Sequence, residues 1–204
     1  ATDDCDIYPH ASTSLFSQEE KITEKTKVLV LPYPSNPTGG IMRKDDLEKI
    51  APIIKKHDIM VISDEIYAEL TFSGKSHVSP ASLDSLYDRT ITVNGFSKAF
   101  SMTGWRLGYV CGPKPIIDEV TKIHQFAIMS SPTTSQYAAI EALRNCEEDV
   151  QYMLKQYDMR RRMIVTGFNK IGLTCREPKG AFYAFPSIES TGMTSDEFCE
   201  KLLY

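Results

Sequence analysis

The sequence predicts an α/β fold: a mostly parallel sheet with helices on both faces, followed by the start of a small α+β unit. Three observations carry that expectation. Between residues 27 and 113, short apolar runs alternate with helix-period stripes, the order in which strands and crossover helices build a parallel sheet. The first such runs are continuously apolar, as strands covered on both faces are. After Pro113 the chain turns helical, and a strand-like run returns only near residue 180.

Each element follows from local pattern. "KVLVLPYP" (27–34) is an apolar run closed by prolines, which cannot donate to a sheet ladder. "KDDLEKIAPIIKKHD" (44–58) places apolar residues at 47, 50, 51, 53 and 54. That is one helical face, with acids early and lysines late to complement the helix dipole. "IMVISDEI" (59–66) stays apolar until Ser63 and Asp64, and "RTITVNGFS" (89–97) and "RLGYVCGP" (106–113) repeat the style. Two helices, "KPIIDEVTKIHQFAIM" and "TTSQYAAIEALRN", are separated by "SSP"; a longer one runs over 147–170 and ends at Gly172. Its basic run "MRRRM" (159–163) sits among acidic stretches and reads as a solvated, salt-bridged face. "GAFYAFPSI" is expected to be a strand opening the second unit, and Thr194 with Glu197 forms a capping box for a last helix. The expected division is 1–145, a sheet-bearing part; 146–172, a long connecting helix; and 173–204, the beginning of the small unit. A final helix stopping two turns after its cap, and a buried strand entered by residue 27 without an earlier βα unit, predict a fragment.

Composition excludes several classes. A formal net charge of -4 gives no electrostatic reason to bind nucleic acid or a membrane surface. No apolar run is long enough to span a bilayer, and the acidic start "ATDDCDIYPHAS" is unlike a signal peptide. The five cysteines (Cys5, Cys111, Cys146, Cys175, Cys199) form no CxxC pair and read as reduced thiols in a cytoplasmic protein. The four histidines are scattered, with no i, i+4 pair to hold a metal.

Polar residues punctuate the strand ends: Asn36 in "SNPTGG", Asp64 and Tyr67 in "SDEIY", Ser97 and Lys98 in "GFSK", and Arg106 in "TGWR". Ligands of open parallel sheets sit beyond the carboxyl ends of the strands. Singly, each residue has a structural explanation: a turn, a cap, a core aromatic, a surface lysine, an ion-paired arginine. Together they are what an anionic, aromatic, aldehyde-bearing cofactor requires, and that cofactor is pyridoxal 5′-phosphate (PLP). The lysine amine condenses with the aldehyde. The carboxylate pairs with the pyridine nitrogen. The amide and phenol donate to the ring oxygen, and the serine and guanidinium hold the phosphate.

The stretches "PSNPTGG", "ISDEIYAEL", "NGFSKAFSMTGWRLGYVCGP", "SSPTTSQYAAIEAL" and "KGAFYAFPSI" resemble, in order, the class I/II aminotransferases of the fold-type I PLP enzymes. The resemblance covers about residue 15 onward and is nearest the prokaryotic aspartate and aromatic aminotransferases. It implies Lys98 as the Schiff-base lysine and proton shuttle, and Asp64 as partner of the pyridine nitrogen. Asn36 and Tyr67 are implied as donors to the ring oxygen, with Ser97 and Arg106 as phosphate ligands. It further implies a cis bond between Asn36 and Pro37, an obligate homodimer, and transfer of an amino group from an L-amino acid to a 2-oxo acid.

Chains of this family are roughly twice as long, so the resemblance also implies that further cofactor and substrate contacts lie outside this polypeptide, which by itself is not expected to be active. Some relatives bind a distal carboxylate through an arginine where "HQFAIMSSP" has Phe126 and Ala127. The rival functions are a C–S β-lyase using the same cofactor contacts, a non-catalytic ligand-sensing module, and a remnant that binds no cofactor.

Overall fold

The computed structural model describes residues 19–72 and 74–204. Cys5 and the acidic opening stretch lie outside the described residues. Four strands form one sheet in the order β1 (Val28–Pro32), β2 (Met60–Asp64), β3 (Thr90–Gly95) and β4 (Gly108–Cys111). The first three are parallel, with Leu31 opposite Ser63, Pro32 opposite Asp64, and Asp64 opposite Val93. Between β1 and β2 runs α1 (Lys44–Lys56). Its buried Leu47, Ile50 and Ile54 pack on Leu31 and Val61 in the main core. Full burial of each such side chain stabilises by about 1.5–3 kcal/mol.

Three strands differ from their expected form. Only Val61 and Ser63 of β2 are fully buried, and on β1 the alternate residues Val28 and Val30 are 46% and 56% exposed. One sheet face is thus sealed by α1 while the other stays open along β1. β4 runs antiparallel to β3 and is exposed throughout. The connection explains the reversal. After β3 the chain makes only a one-turn helix, α2 (Phe96–Ala99), and a 3₁₀ turn, Thr103–Trp105. A parallel return needs a full crossover over the sheet, and this compact loop does not cross it. Gly95 and Gly108 let β3 and β4 approach closely, since a Cβ on Gly108 would lie 2.9 Å from the Asn94 carbonyl oxygen.

Three further helices follow: α3 (Lys114–Ala127), α4 (Thr133–Asn145) and α5 (Glu147–Lys170). Ala139 and Ala142 of α4 pack against Phe96 and Met102. Met153, Leu154 and Tyr157 of α5 pack against Tyr67, Leu70 and Ala181. The last helix, α6 (Ser195–Leu203), starts at the expected capping box, with Thr194 accepting from the Glu197 amide.

The segment "GAFYAFPSI" is not a strand. Gly180 makes a single bridge to Thr71, and at Ala181 the backbone turns left-handed (φ 57°), which ends any extended run. The basic run on α5 is a solvated face at Arg160 and Arg162, where Arg162 pairs with Asp158, but not at Arg161. Arg161 is 6% exposed. Its Nη1 lies 2.9 Å from both Glu177 Oε1 and the Pro178 carbonyl, and its Nε donates to Asp158 at 2.9 Å. The guanidinium also stacks 4.9 Å from the Phe72 ring centre. Helix periodicity aims Arg161 at the 177–178 loop while Met159 and Met163 face outward.

A second buried charge sits beneath the β2 exit. Glu65 is 5% exposed; Ser79 Oγ donates to it at 2.6 Å, and His77 Nε2 stands 3.1 Å from its other carboxylate oxygen. The scattered histidines of the sequence therefore include one built into the interior. Burial works against the Glu65 charge, but His77, Ser79 and Ser63 outweigh it and hold the carboxyl below the ordinary carboxylate range.

Two outcomes are expected. Arg161→Ala, which removes the buried fork while Asp158 keeps Arg162 and Glu177 keeps Lys179, should cost about 1.5–3 kcal/mol in urea unfolding of the full-length protein, and Arg161→Lys should recover only part because lysine lacks the fork. For Glu65 the folded pKa lies below the unfolded one. Its contribution is therefore present above about pH 4.3, the unfolded carboxyl value, and lost as pH falls through the folded value. His77→Gln should flatten the acid limb of a stability-against-pH curve, and an unchanged limb would contradict the pairing.

Candidate active site

Lys98 lies in the single turn of α2, immediately beyond β3. It is half-buried, and its Nζ stands 5.9 Å from the ring centre of Tyr67 and 5.7 Å from that of Phe182. Both distances are within cation–π range. The loop that follows is tightly wound, with Ser101 and Arg106 in the left-handed region (φ 54° and 52°). Non-glycine residues in that conformation mark backbone held by its surroundings, a common feature of functional loops. Here the hold comes partly from α4, whose Ser135 hydroxyl donates to the Trp105 carbonyl at 2.7 Å.

Asn36 lies in the turn after β1 and Tyr67 in the turn after β2. They meet at a third residue. The Tyr183 hydroxyl is 2.7 Å from the Tyr67 hydroxyl, and Asn36 Nδ2 donates to it at 3.3 Å. Backbone docking brings these segments together: the amides of Lys179 and Gly180 both donate to the Gly39 carbonyl at 2.9 Å. Gly39 is left-handed (φ 70°), and a methyl there would overlap Pro178; a Cβ on Gly180 would lie 2.5 Å from Pro34 Cβ. The bond between Asn36 and Pro37 is cis, as the resemblance implied, and the neighbouring bond between Tyr33 and Pro34 is also cis. Tyr67 is 5% exposed. Burial, then the Tyr183 hydroxyl and the Asp64 carboxylate, push its phenol far above the usual value, against a smaller opposing effect of Asn36.

Asp64, the last residue of β2, accepts a hydrogen bond from the Ile66 amide at 3.2 Å. Its charge is felt by Tyr67. Ser97 and Arg106 form a second group on the Lys98 side. Thr103 Oγ1 donates to the Ser97 carbonyl at 2.8 Å, and Arg106 Nη1 donates to the Thr103 carbonyl at 3.0 Å. Arg106 is exposed, and the acceptor of its Nη1 is a backbone carbonyl. Thus Lys98, Tyr67 and Asn36 are joined through Tyr183 and Phe182, Asp64 adjoins Tyr67, and Ser97 and Arg106 are joined through Thr103.

The aromatic pair Phe182–Tyr183 carries no role in the sequence reading. "GAFYAF" reads as a strand, and beyond the left-handed turn at Ala181 the Phe182 ring lies by Lys98 and the Tyr183 ring by Tyr67. A cavity of about 910 Å³ lined by Glu69, Lys75, His77, Lys155 and Asp158 contains none of the six predicted residues.

The fold agrees with comparisons to known proteins. The family described as "Aminotransferase class I and II" matches residues 11–204. An aspartate aminotransferase of Pyrococcus abyssi is 48% identical over 184 residues, covering 89% of this chain and 47% of its own. Aromatic-amino-acid aminotransferase 2 of Thermococcus litoralis is 42% identical over 187 residues, covering 91% and 48%. The crystal structure of an aromatic aminotransferase from Pyrococcus horikoshii superposes with a TM-score of 0.89 at 44% identity, over 93% of this chain and 51% of that one. The chain spans about half the length of the curated relatives it matches. With the fold, the motif order and these relatives in agreement, the chain belongs to the class I and II aminotransferase family.

Proposed function

We propose that the protein to which this chain belongs is a PLP-dependent aminotransferase that moves an amino group from an L-amino acid to a 2-oxo acid. One observation carries this reading most directly. Lys98 is a half-buried ammonium flanked by the rings of Tyr67 and Phe182, with no carboxylate or hydrogen-bond partner among the described residues. An amine left without a counterion beyond a strand end is suited to react rather than to stabilise the fold. The donor set around it fits PLP: one amine, one carboxylate, an amide and a phenol that converge, and a serine beside a guanidinium.

When bound, PLP supplies an aldehyde for the amine and a ring that takes up the electron pair of the substrate α-carbon. The chain's residues do the rest. Lys98 Nζ accepts the α-proton of the amino acid and carries it as an ammonium, which the two ring faces stabilise. Asp64 is assigned to keep a ring nitrogen protonated, with its carboxylate charge as the counterion. Asn36 and Tyr67 are assigned to donate to the ring oxygen. Ser97 and Arg106 are assigned to the phosphate, for which Arg106 has guanidinium donors to spare. The division at 1–145, 146–172 and 173–204 belongs to the same reading, supported by the continuous helix α5 in the middle.

The relatives named above are aminotransferases, which favours transfer over β-elimination or ligand sensing. A homodimer is part of the proposal, supported by apolar residues left open on α3 and α4, among them Ile123, Phe126, Tyr137 and Leu143. A cytoplasmic setting is supported by free thiols at Cys111, Cys146, Cys175 and Cys199.

Borohydride reduction of the full-length protein with PLP, followed by peptide mapping, should label Lys98; a label elsewhere overturns the assignment. Lys98→Ala should leave folding intact and abolish turnover. Asp64→Ala should cost far more activity than Tyr67→Phe, because only the first removes the ring nitrogen's counterion, and equal losses would contradict the roles. Light scattering of the full-length protein should give the mass of a dimer.

A further inference from the structure

We propose that Arg161 is a positioning residue of the active site: by anchoring the Pro178 carbonyl it fixes the 178–183 segment, and so holds Phe182 at Lys98 and Tyr183 at Tyr67 and Asn36. The proposal rests on the functional reading above and deepens it.

From the middle of α5, Arg161 holds three pieces of chain together. Its Nε donates to Asp158 on the same helix, its Nη1 donates to the Pro178 carbonyl at 2.9 Å, and its guanidinium lies 4.9 Å from the Phe72 ring centre. Segments 70–72 and 179–181 pair with each other. The Phe72 amide donates to the Lys179 carbonyl at 2.9 Å, and the Ala181 amide donates to the Leu70 carbonyl at 2.8 Å. Arg161 grips both sides of this pairing at one end, through the ring of Phe72 and the carbonyl of Pro178. The other end carries the site. Tyr67 comes just before Leu70 on one side, and Phe182 and Tyr183 follow Ala181 on the other. There the two tyrosine hydroxyls stand 2.7 Å apart, and the Phe182 ring lies by Lys98.

So short a pairing does not hold position unaided, since even a complete two-stranded ribbon is marginal in water. The Gly39 carbonyl fixes its middle, and Tyr157 of α5 stacks on Phe182 at 5.3 Å. Stacked rings slide at little cost, whereas a hydrogen bond weakens steeply with angle and so holds one direction. Arginine suits the place because its fork donates sideways and forward at once while its flat face lies on a ring. As a filler of space a buried guanidinium is costly, and an apolar side chain of like volume needs no such desolvation. What the guanidinium adds is a fixed place for one carbonyl.

Arg161→Lys separates position from stability, because it keeps the charge and loses the fork. It is compared in the full-length protein with Ile59→Val or Ile59→Ala, whichever matches its urea midpoint. Ile59 is buried just before β2, at the end of that strand away from Asp64. In apoprotein labelled at the tyrosine ring ζ-carbon, Arg161→Lys should move the Tyr67 and Tyr183 resonances towards those of exposed tyrosines. With PLP bound, its kcat should fall about 10–100-fold, as when a reacting group is misplaced by about 1 Å. Its KM should change far less, because no residue of 178–183 is assigned to the amino acid. The Ile59 variant should show neither change. Unmoved resonances, an unchanged kcat, or an equal fall in the Ile59 variant each overturn the proposal. If the resonances move while borohydride labels a residue other than Lys98, the functional reading fails and the anchoring of the segment stands.

Discussion

In-register parallel pairing is the constraint on which the rest of the molecule depends. Because Pro32 lies opposite Asp64 and Asp64 opposite Val93, β1 and β2 end at one level and β3, about 4.8 Å from β2, runs on in the same direction to Gly95. The turns that follow therefore open onto a common edge, and each contributes a different chemistry: an amide from the first, a carboxylate and a phenol from the second, an amine from the third. A slip of one residue in β2 would send Asp64 to the face now held by Ser63 and break the group apart. The apolar packing of α1 against Leu31 and Val61 is what prevents it.

The second requirement is that a segment more than a hundred residues later should return to that edge. The 178–183 loop does so without sheet pairing beyond one bridge. It is fixed by the two amides on the Gly39 carbonyl, by glycine contacts that leave no room for a methyl, and by a buried guanidinium on α5. Burying that charge costs desolvation, and two carboxylates, a carbonyl and a ring face offset it. Site geometry and fold stability consequently share the same contacts. The loop that presents Tyr183 is also the loop that closes α5 onto the Tyr67 turn.

Most of the sheet was legible in the sequence because its information is local. Continuous apolar runs, a helical stripe with matched end charges, and proline or glycine at the exits sufficed for β1–β3 and α1. Family likeness added the roles proposed for Lys98 and Asp64, which spacing by itself left ambiguous between function and a surface or capping position. What stayed hidden is long-range. The exposure of β1 and the reversal of β4 depend on which neighbours are present, not on the strand's own composition. Arg161 looked like one of several solvated arginines because nothing within a turn of it reveals the loop at 177–178. His77 and Glu65, twelve residues apart, meet only once the chain has left the sheet and returned. Tyr183 escaped for the same reason: an aromatic in an alternating run reads as strand until a left-handed residue turns it.

Seclusion of the Tyr67 phenol reaches beyond the hydrogen bonds it makes. Far from water, next to a second phenol and a carboxylate, it keeps its proton well past the alkalinity at which exposed tyrosines ionise. Swings in cellular acidity leave its charge untouched, whereas above about pH 10 the unfolded chain gains by ionising it, so this phenol is one of the groups that limit alkaline tolerance.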